Sequence, residues 1–182
     1  MSISKFIIFS FLFFDAIFDV LSCEKKADIS SPKFYEKNKV SFSYPKNWRI
    51  TEDVEETEMR YIFIETPGDA IFIIQIYSKE EALSLSEYAE WSSEEARKQT
   101  PLGMRPKGKF SEIEKKFQSK KLKGIREYMN IIVLSESVPH ITDYYKVEYG
   151  DKAVFLICQV AVEDLKMVKP GFEIILKSFM LK

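Results

Sequence analysis

The sequence predicts an α+β fold, an antiparallel β-sheet covered by helices. Three observations carry that prediction. Ile71-Phe72-Ile73-Ile74-Gln75-Ile76-Tyr77 and residues 153–162 are apolar on both faces, as central strands covered on two sides are. Short turn signals, Pro67-Gly68-Asp69 and Gly150-Asp151, fold strand candidates back on their neighbours. Two segments carry helical spacing instead, one in mid-chain and one at the end.

The first element is an address. Lys5 precedes the apolar run Phe6-Ile7-Ile8-Phe9-Ser10-Phe11-Leu12-Phe13-Phe14, the pattern of a secretory signal peptide. The run is shorter than the roughly 20 apolar residues of a bilayer span. Extending it to Leu21 encloses Asp15 and Asp19. Each of these would cost about 2.5–3.5 kcal/mol near the bilayer centre. The segment ends Val20-Leu21-Ser22-Cys23, which resembles a bacterial lipobox. That resemblance implies a diacylglyceryl group on the Cys23 thiol, cleavage before Cys23, and acylation of the new amine, with palmitate as a typical chain. A plain cleaved signal and an uncleaved anchor are the alternatives. The expected organisation is therefore a signal peptide at 1–22, a lipidated Cys23 with a flexible tether to residue 39, and a folded domain at 40–182. Fully extended, the tether would reach roughly 50 Å.

Removing 23 residues from 182 leaves 159, enough for one domain with a real core. The remainder carries 26 basic and 26 acidic side chains. This neutrality gives no basic footprint for nucleic acid. Cys158 lies in a strongly apolar run and reads as a packed core thiol.

Val40-Ser41-Phe42-Ser43-Tyr44 alternates as a half-buried strand, Pro45-Lys46-Asn47 turns the chain, and Trp48 resumes it. Residues 52–58 read as a solvated acidic loop; they lack the glycine and oxygen spacing of a calcium loop. Residues 59–66 and 70–78 are strands around the Pro67-Gly68-Asp69 turn. Ser84-Leu85-Ser86-Glu87 is a capping box. It opens a helix with Leu85, Tyr88, Ala89 and Ala96 on one stripe, Trp91 at its border and Thr100-Pro101 at its end.

Residues 101–107 form a loop with Gly103 and Pro106, placed to border a cleft. Strands at 109–117 and 124–135 follow. Lys107, Lys109, Lys115, Lys116, Lys120, Lys121, Lys123 and Arg126 make one basic cluster, read as a charged hairpin keeping a sheet edge soluble. His140 is the only histidine and is expected in a surface loop. Strands at 142–149 and 152–162 make a hairpin. Val168, Phe172, Ile175 and Phe179 form the stripe of a closing helix, expected to become regular near Lys169 because of Pro170.

Two passages resemble the PsbP-like superfamily. Val40-Ser41-Phe42-Ser43-Tyr44-Pro45-Lys46-Asn47-Trp48 is similar to its opening strand and Tyr-Pro-x-x-Trp turn, and Phe172-Glu173-Ile174-Ile175-Leu176-Lys177-Ser178-Phe179 to its closing helix. The resemblance implies an α/β/α sandwich. It also implies protein binding more than catalysis. It carries no functional residue onto this chain, because the matching residues are structural. One histidine, few glycines and no nucleophile–base or metal-ligand motif leave no catalytic, cofactor-binding or metal residue to assign. No cofactor is expected. Ser30-Ser31-Pro32-Lys33 matches Ser-x-x-Lys but lacks the partner motifs of that chemistry. The functional expectation is a membrane-anchored, non-catalytic protein-binding module of the cell envelope, on the cell membrane or outer membrane. Its partners would be the membrane and another envelope protein, with no nucleic acid. The alternative is a small-molecule carrier or sensor with a cleft beside the sheet.

Overall fold

Strands β5 (Ile71–Ser78) and β9 (Lys152–Ala161) pair antiparallel at the centre of a seven-stranded sheet, with Ile74 opposite Leu156. Beyond β5 lie β4 (Met59–Glu65) and β3 (Arg49–Glu55). Beyond β9 lie β8 (Glu136–Tyr149), β7 (Lys120–Val133) and β6 (Lys109–Phe117). The computed structural model describes residues 24–57, 59–101, 103–117 and 120–182.

Alternation along β5 and β9 assigns each residue to one of two cores. Phe72, Ile74, Ile76, Val154, Leu156, Cys158 and Val160 face helix α2 (Leu165–Ser178), against Val168, Phe172, Ile175 and Leu176. Ile73, Tyr77, Phe155 and Ile157 face helix α1 (Leu85–Gln99), where Tyr88 stacks on Phe155 with ring centroids 3.7 Å apart. This is the two-sided cover that the doubly apolar runs predict. The capping box is formed, since Ser84 Oγ accepts from the Glu87 N–H and the Glu87 carboxylate accepts from the Ser84 N–H. Cys158 is buried in the α2 core, as expected.

A second sheet of β1 (Lys33–Lys37), β2 (Val40–Tyr44) and β10 (Met180–Leu181) packs on α2. Trp48 is 1% exposed and meets Phe172 edge-on. A Cβ on Gly171 would lie 2.5 Å from the Trp48 ring, so the indole seats where the helix has no side chain. The Tyr-Pro-x-x-Trp turn is therefore a lock between the small sheet and α2.

Four sequence expectations need correction. Residues 24–39 are not a free tether. The Ala27 N–H donates to the Met167 carbonyl at 3.0 Å, and residues 33–37 are strand β1, its Tyr35 stacked on Phe42. Hydrophilic composition concealed this, because an edge strand needs only one apolar contact per pair of residues. Most of the acidic loop is strand β3, with a bulge between Ile50 and Glu52. His140 is 8% exposed within β8, opposite Met129 and Ala161, not in a surface loop. Helix α2 begins at Leu165, after a 3-10 turn at Val162–Asp164. Pro170 then removes one backbone donor near the first turn, a loss the helix accommodates.

The β7–β8 hairpin turns on Leu134 (φ 49°) and Ser135 (φ 72°). A two-residue turn of this hand needs positive φ at both positions and ordinarily uses Asn-Gly. Leu134 there costs roughly 1–2 kcal/mol relative to a right-handed conformation.

Candidate functional site

The densest group of buried polar side chains lies between α1 and the sheet, under the 101–108 loop. It starts from the α1 stripe. Tyr88, Ala89, Ser93 and Ala96 are its buried residues, and Ser93 is a polar member of an otherwise packing face. A buried hydroxyl needs a partner. Ser93 Oγ donates to Glu127 Oε1 at 2.5 Å. Glu127 projects from β7, wholly buried, and its Oε2 also accepts from the Tyr144 hydroxyl at 3.0 Å. Arg105 comes down from the loop, 6% exposed, with Nη2 3.6 Å from Glu127 Oε2. Gly108 lets the loop close, because a Cβ there would overlap the Glu127 side chain.

Strand register extends this polar floor. Glu127 pairs with Thr142, and Thr142 with Gln159; Thr142 Oγ1 donates to Gln159 Oε1 at 3.3 Å. His140 lies two pairs further on, on the same face. Burial pushes its imidazole below the usual histidine range, and Arg105 adds to the shift. Its Nδ1 donates to the Val138 carbonyl at 2.9 Å, so Nδ1 carries the proton. Burial first, and then the Glu127 charge, raise the Tyr144 phenol well above the usual tyrosine range.

The carboxylate accepts from two hydroxyls and faces a guanidinium whose Nε is buried without a hydrogen-bond partner. Arg105 of the loop and Glu127 of β7 face each other beneath it. One signal in the sequence pointed here: Ser93 sits three residues before Ala96 and four after Ala89, a serine on a buried stripe.

An open groove lies at the opposite end, with a volume of about 810 Å³, between the β1–β2 turn, the β3–β4 turn and the β8–β9 turn. Asn38, Lys39, Met59, Arg60, Tyr149 and Lys182 are among its walls. Arg60 is 5% exposed and donates to the Lys37 and Asn38 carbonyls, both at 3.0 Å, to Asp53 Oδ1 at 3.0 Å and to the Tyr35 hydroxyl at 2.7 Å. Burial raises the Asp53 carboxyl. Hydrogen bonds from Arg60, Lys37 and Tyr35 outweigh it and hold the group below the usual carboxylate range. The acidic residues of the supposed loop thus tie the small sheet to the large one. Among the described residues, no group of three or more His, Cys, Asp or Glu side chains is placed to hold a metal ion.

The basic cluster is divided by the fold. Lys121 pairs with Glu114 at 2.7 Å, Arg126 with Asp143 at 2.6 Å, and Lys115 lies 3.8 Å from Glu173 of α2. Lys109 and Lys116 lie on β6, the edge strand, as a soluble sheet edge requires. The segment expected to be a signal peptide and Cys23 lie outside the described residues. Among the described residues no helix is long and apolar enough to cross a membrane.

No family model matches the chain, and no curated protein matches it in sequence. Solved structures do match in shape. The cyanobacterial PsbP protein CyanoP from Synechocystis superposes with a TM-score of 0.54 at 13% identity, over 85% of this chain and 94% of that one. A Bacteroides thetaiotaomicron protein gives 0.51 at 14% identity, over 82% of this chain and 48% of its own, so the match spans about half of that molecule. LpqN of Mycobacterium tuberculosis, described as involved in cell envelope biogenesis, gives 0.42 at 7% identity, over 84% of this chain and 90% of that one, too distant to carry an argument. The element order, the two covered sheet faces and the CyanoP superposition together give this chain the PsbP-like α+β fold.

Proposed function

We propose that this protein is an exported, lipid-anchored protein of the cell envelope whose domain binds another protein and performs no chemistry. The observation that carries the reading is that three arginines at or near the core each face a largely buried carboxylate. Arg105 faces Glu127, Arg60 faces Asp53, and Arg126 faces Asp143. Groups held this way build a rigid scaffold and leave little for a substrate. Support for the anchor is the lipobox-like Val20-Leu21-Ser22-Cys23, followed at once by folded chain.

The test is crosslinking and recovery of the native protein from intact cells, comparing wild type with Cys23→Ala and weighing the N-terminal peptide. The expected result is an acylated Cys23 and one envelope protein enriched with wild type alone. An unmodified Cys23 with nothing enriched would sink both parts of the reading. The 810 Å³ groove favours the carrier as the second reading. Native mass spectrometry of the same sample decides it, since a carrier retains a small molecule that a protein-binding module lacks.

A further inference from the structure

Of the three arginines that face largely buried carboxylates, two close on their partners and one does not. Arg126 meets Asp143 with Nε 2.6 Å from Oδ1 and Nη2 2.8 Å from Oδ2. Arg60 meets Asp53 through the same atoms, at 3.0 and 3.3 Å. Both are the two-point fork that a planar guanidinium makes with a carboxylate. Arg105 and Glu127 do not form it. Their approach, Nη2 to Oε2, is 3.6 Å, longer than a hydrogen bond. Arg105 Nε is buried and has no partner. The Arg105 side chain is 3% exposed and that of Glu127 0%, so bulk solvent does not reach the pair.

The carboxylate can accept more than it receives. Oε1 accepts from Ser93 Oγ and Oε2 from the Tyr144 hydroxyl. A carboxylate oxygen has two acceptor positions, so one on each oxygen is left, the number a guanidinium fork fills. Ser93 stands on α1, Glu127 on β7 and Tyr144 on β8, so regular elements fix the carboxylate. Arg105 is held differently. Among residues 103–108 it alone is buried, while Gly103, Pro106 and Lys107 are exposed. Gly103 has φ 82° and nothing within 4 Å of a Cβ built there. The Met104 carbonyl accepts from the Ile132 N–H at 2.7 Å and ties the segment to β7. A rigid carboxylate is thus stoppered by one side chain of a surface segment.

We infer that Glu127 is the floor of a binding site for a small planar cation, a guanidinium or amidinium compound, and that Arg105 is the stopper such a ligand displaces. The ligand brings a positive charge, because a carboxylate this deep is strongly unfavourable without one. It is planar with two donors, because two acceptor positions are left; a primary ammonium is a point charge with no fork. The room it needs is the room the Arg105 guanidinium takes. The gain is geometric. A free guanidinium closes to hydrogen-bond distance, while Arg105, flanked by exposed Pro106 and Lys107, returns to water. Apparent affinity is reduced by the fraction of molecules in which the stopper is out. This site goes beyond the proposed protein-binding role and does not depend on the Cys23 anchor.

The test is calorimetric titration of the full chain with methylguanidinium at constant ionic strength, with methylammonium alongside. Wild type is compared with Arg105→Ala and with Arg105→Ala/Glu127→Gln. The expected result is saturable binding of methylguanidinium to wild type and none to the double variant. Binding to Arg105→Ala should be at least about tenfold tighter than to wild type, because the stopper no longer competes. Hydrogen exchange of wild type reads the displacement directly. With methylguanidinium bound, the Ile132 amide should exchange at least about threefold faster while the amides of β5 and β9 keep their rates. The wild-type measurements decide alone if Arg105→Ala does not fold. No saturable binding to wild type overturns the inference, and so does binding to Arg105→Ala alone, which would make Arg105 a permanent occupant. Equal binding of methylammonium, equal binding to the double variant, or unaltered exchange at Ile132 overturns it as well.

Discussion

The two faces of the central sheet are buried by the same strands and in different ways. On the α2 side, Phe72, Ile74, Val154 and Leu156 meet Val168, Phe172, Ile175 and Trp48, nearly all hydrocarbon. On the α1 side, Ile73, Phe155 and Tyr88 are apolar near the start of the helix, but toward its end the floor becomes Glu127, Thr142, Gln159, His140 and Arg105. The α2 face depends on shape and the α1 end on charge balance. Hydrocarbon packing tolerates change in proportion to the volume lost. A buried ion pair fails when one partner is removed and not when both are.

Substitutions separate the two modes. The largest effects should come from Trp48→Ala and Arg105→Met, each costing about 3–5 kcal/mol in urea unfolding, the first by a cavity and the second by stranding Glu127. The comparison sharpens with Arg105→Met/Glu127→Met. Most of the loss should return in the double variant, because no buried charge is left alone. If the double variant is as unstable as the single, the α1 end is held by shape after all. Next comes Gly171→Ala, expected to cost about 1–3 kcal/mol through overpacking on Trp48. A glycine free of contacts in a helix would instead gain about 1 kcal/mol from the same change. A stabilised variant would therefore show that the indole does not seat there.

The smallest effect concerns pH. Burial places the folded-state pKa of His140 below its ordinary 6.5. The unfolded chain then binds that proton more readily, so stability is complete above about 6.5 and declines as pH falls below it. His140→Gln should flatten this part of the stability profile while leaving the α2 face untouched. An unchanged acid limb would assign the decline to carboxylates such as Asp53, whose depressed pKa produces loss at lower pH.

The same contrast explains what could be read from the sequence. The α2 face was legible because packing leaves a periodic trace: alternate apolar residues in β5 and β9, and Val168, Phe172 and Ile175 in α2. The Trp48 turn was legible as a short motif. The α1 end left little trace, because Arg105, Glu127 and His140 are far apart in the chain and of types that usually face water. Ser93 was the one clue. β1 was missed for a related reason, since Lys33 and Lys37 share the face of Tyr35 yet read as solvent residues, and only Tyr35 records what the strand covers.

The small sheet joins residues from both ends of the described chain. Ser41 pairs with Met180, and the Ser43 N–H donates to Ser178 Oγ at 2.8 Å across 135 positions. Closing a loop of that length precedes any reward from the contacts it brings. Strand β2 and Trp48 are made early, but their partners on α2 and β10 are made last. During synthesis the α2-side core therefore stays open until α2 and β10 have been made.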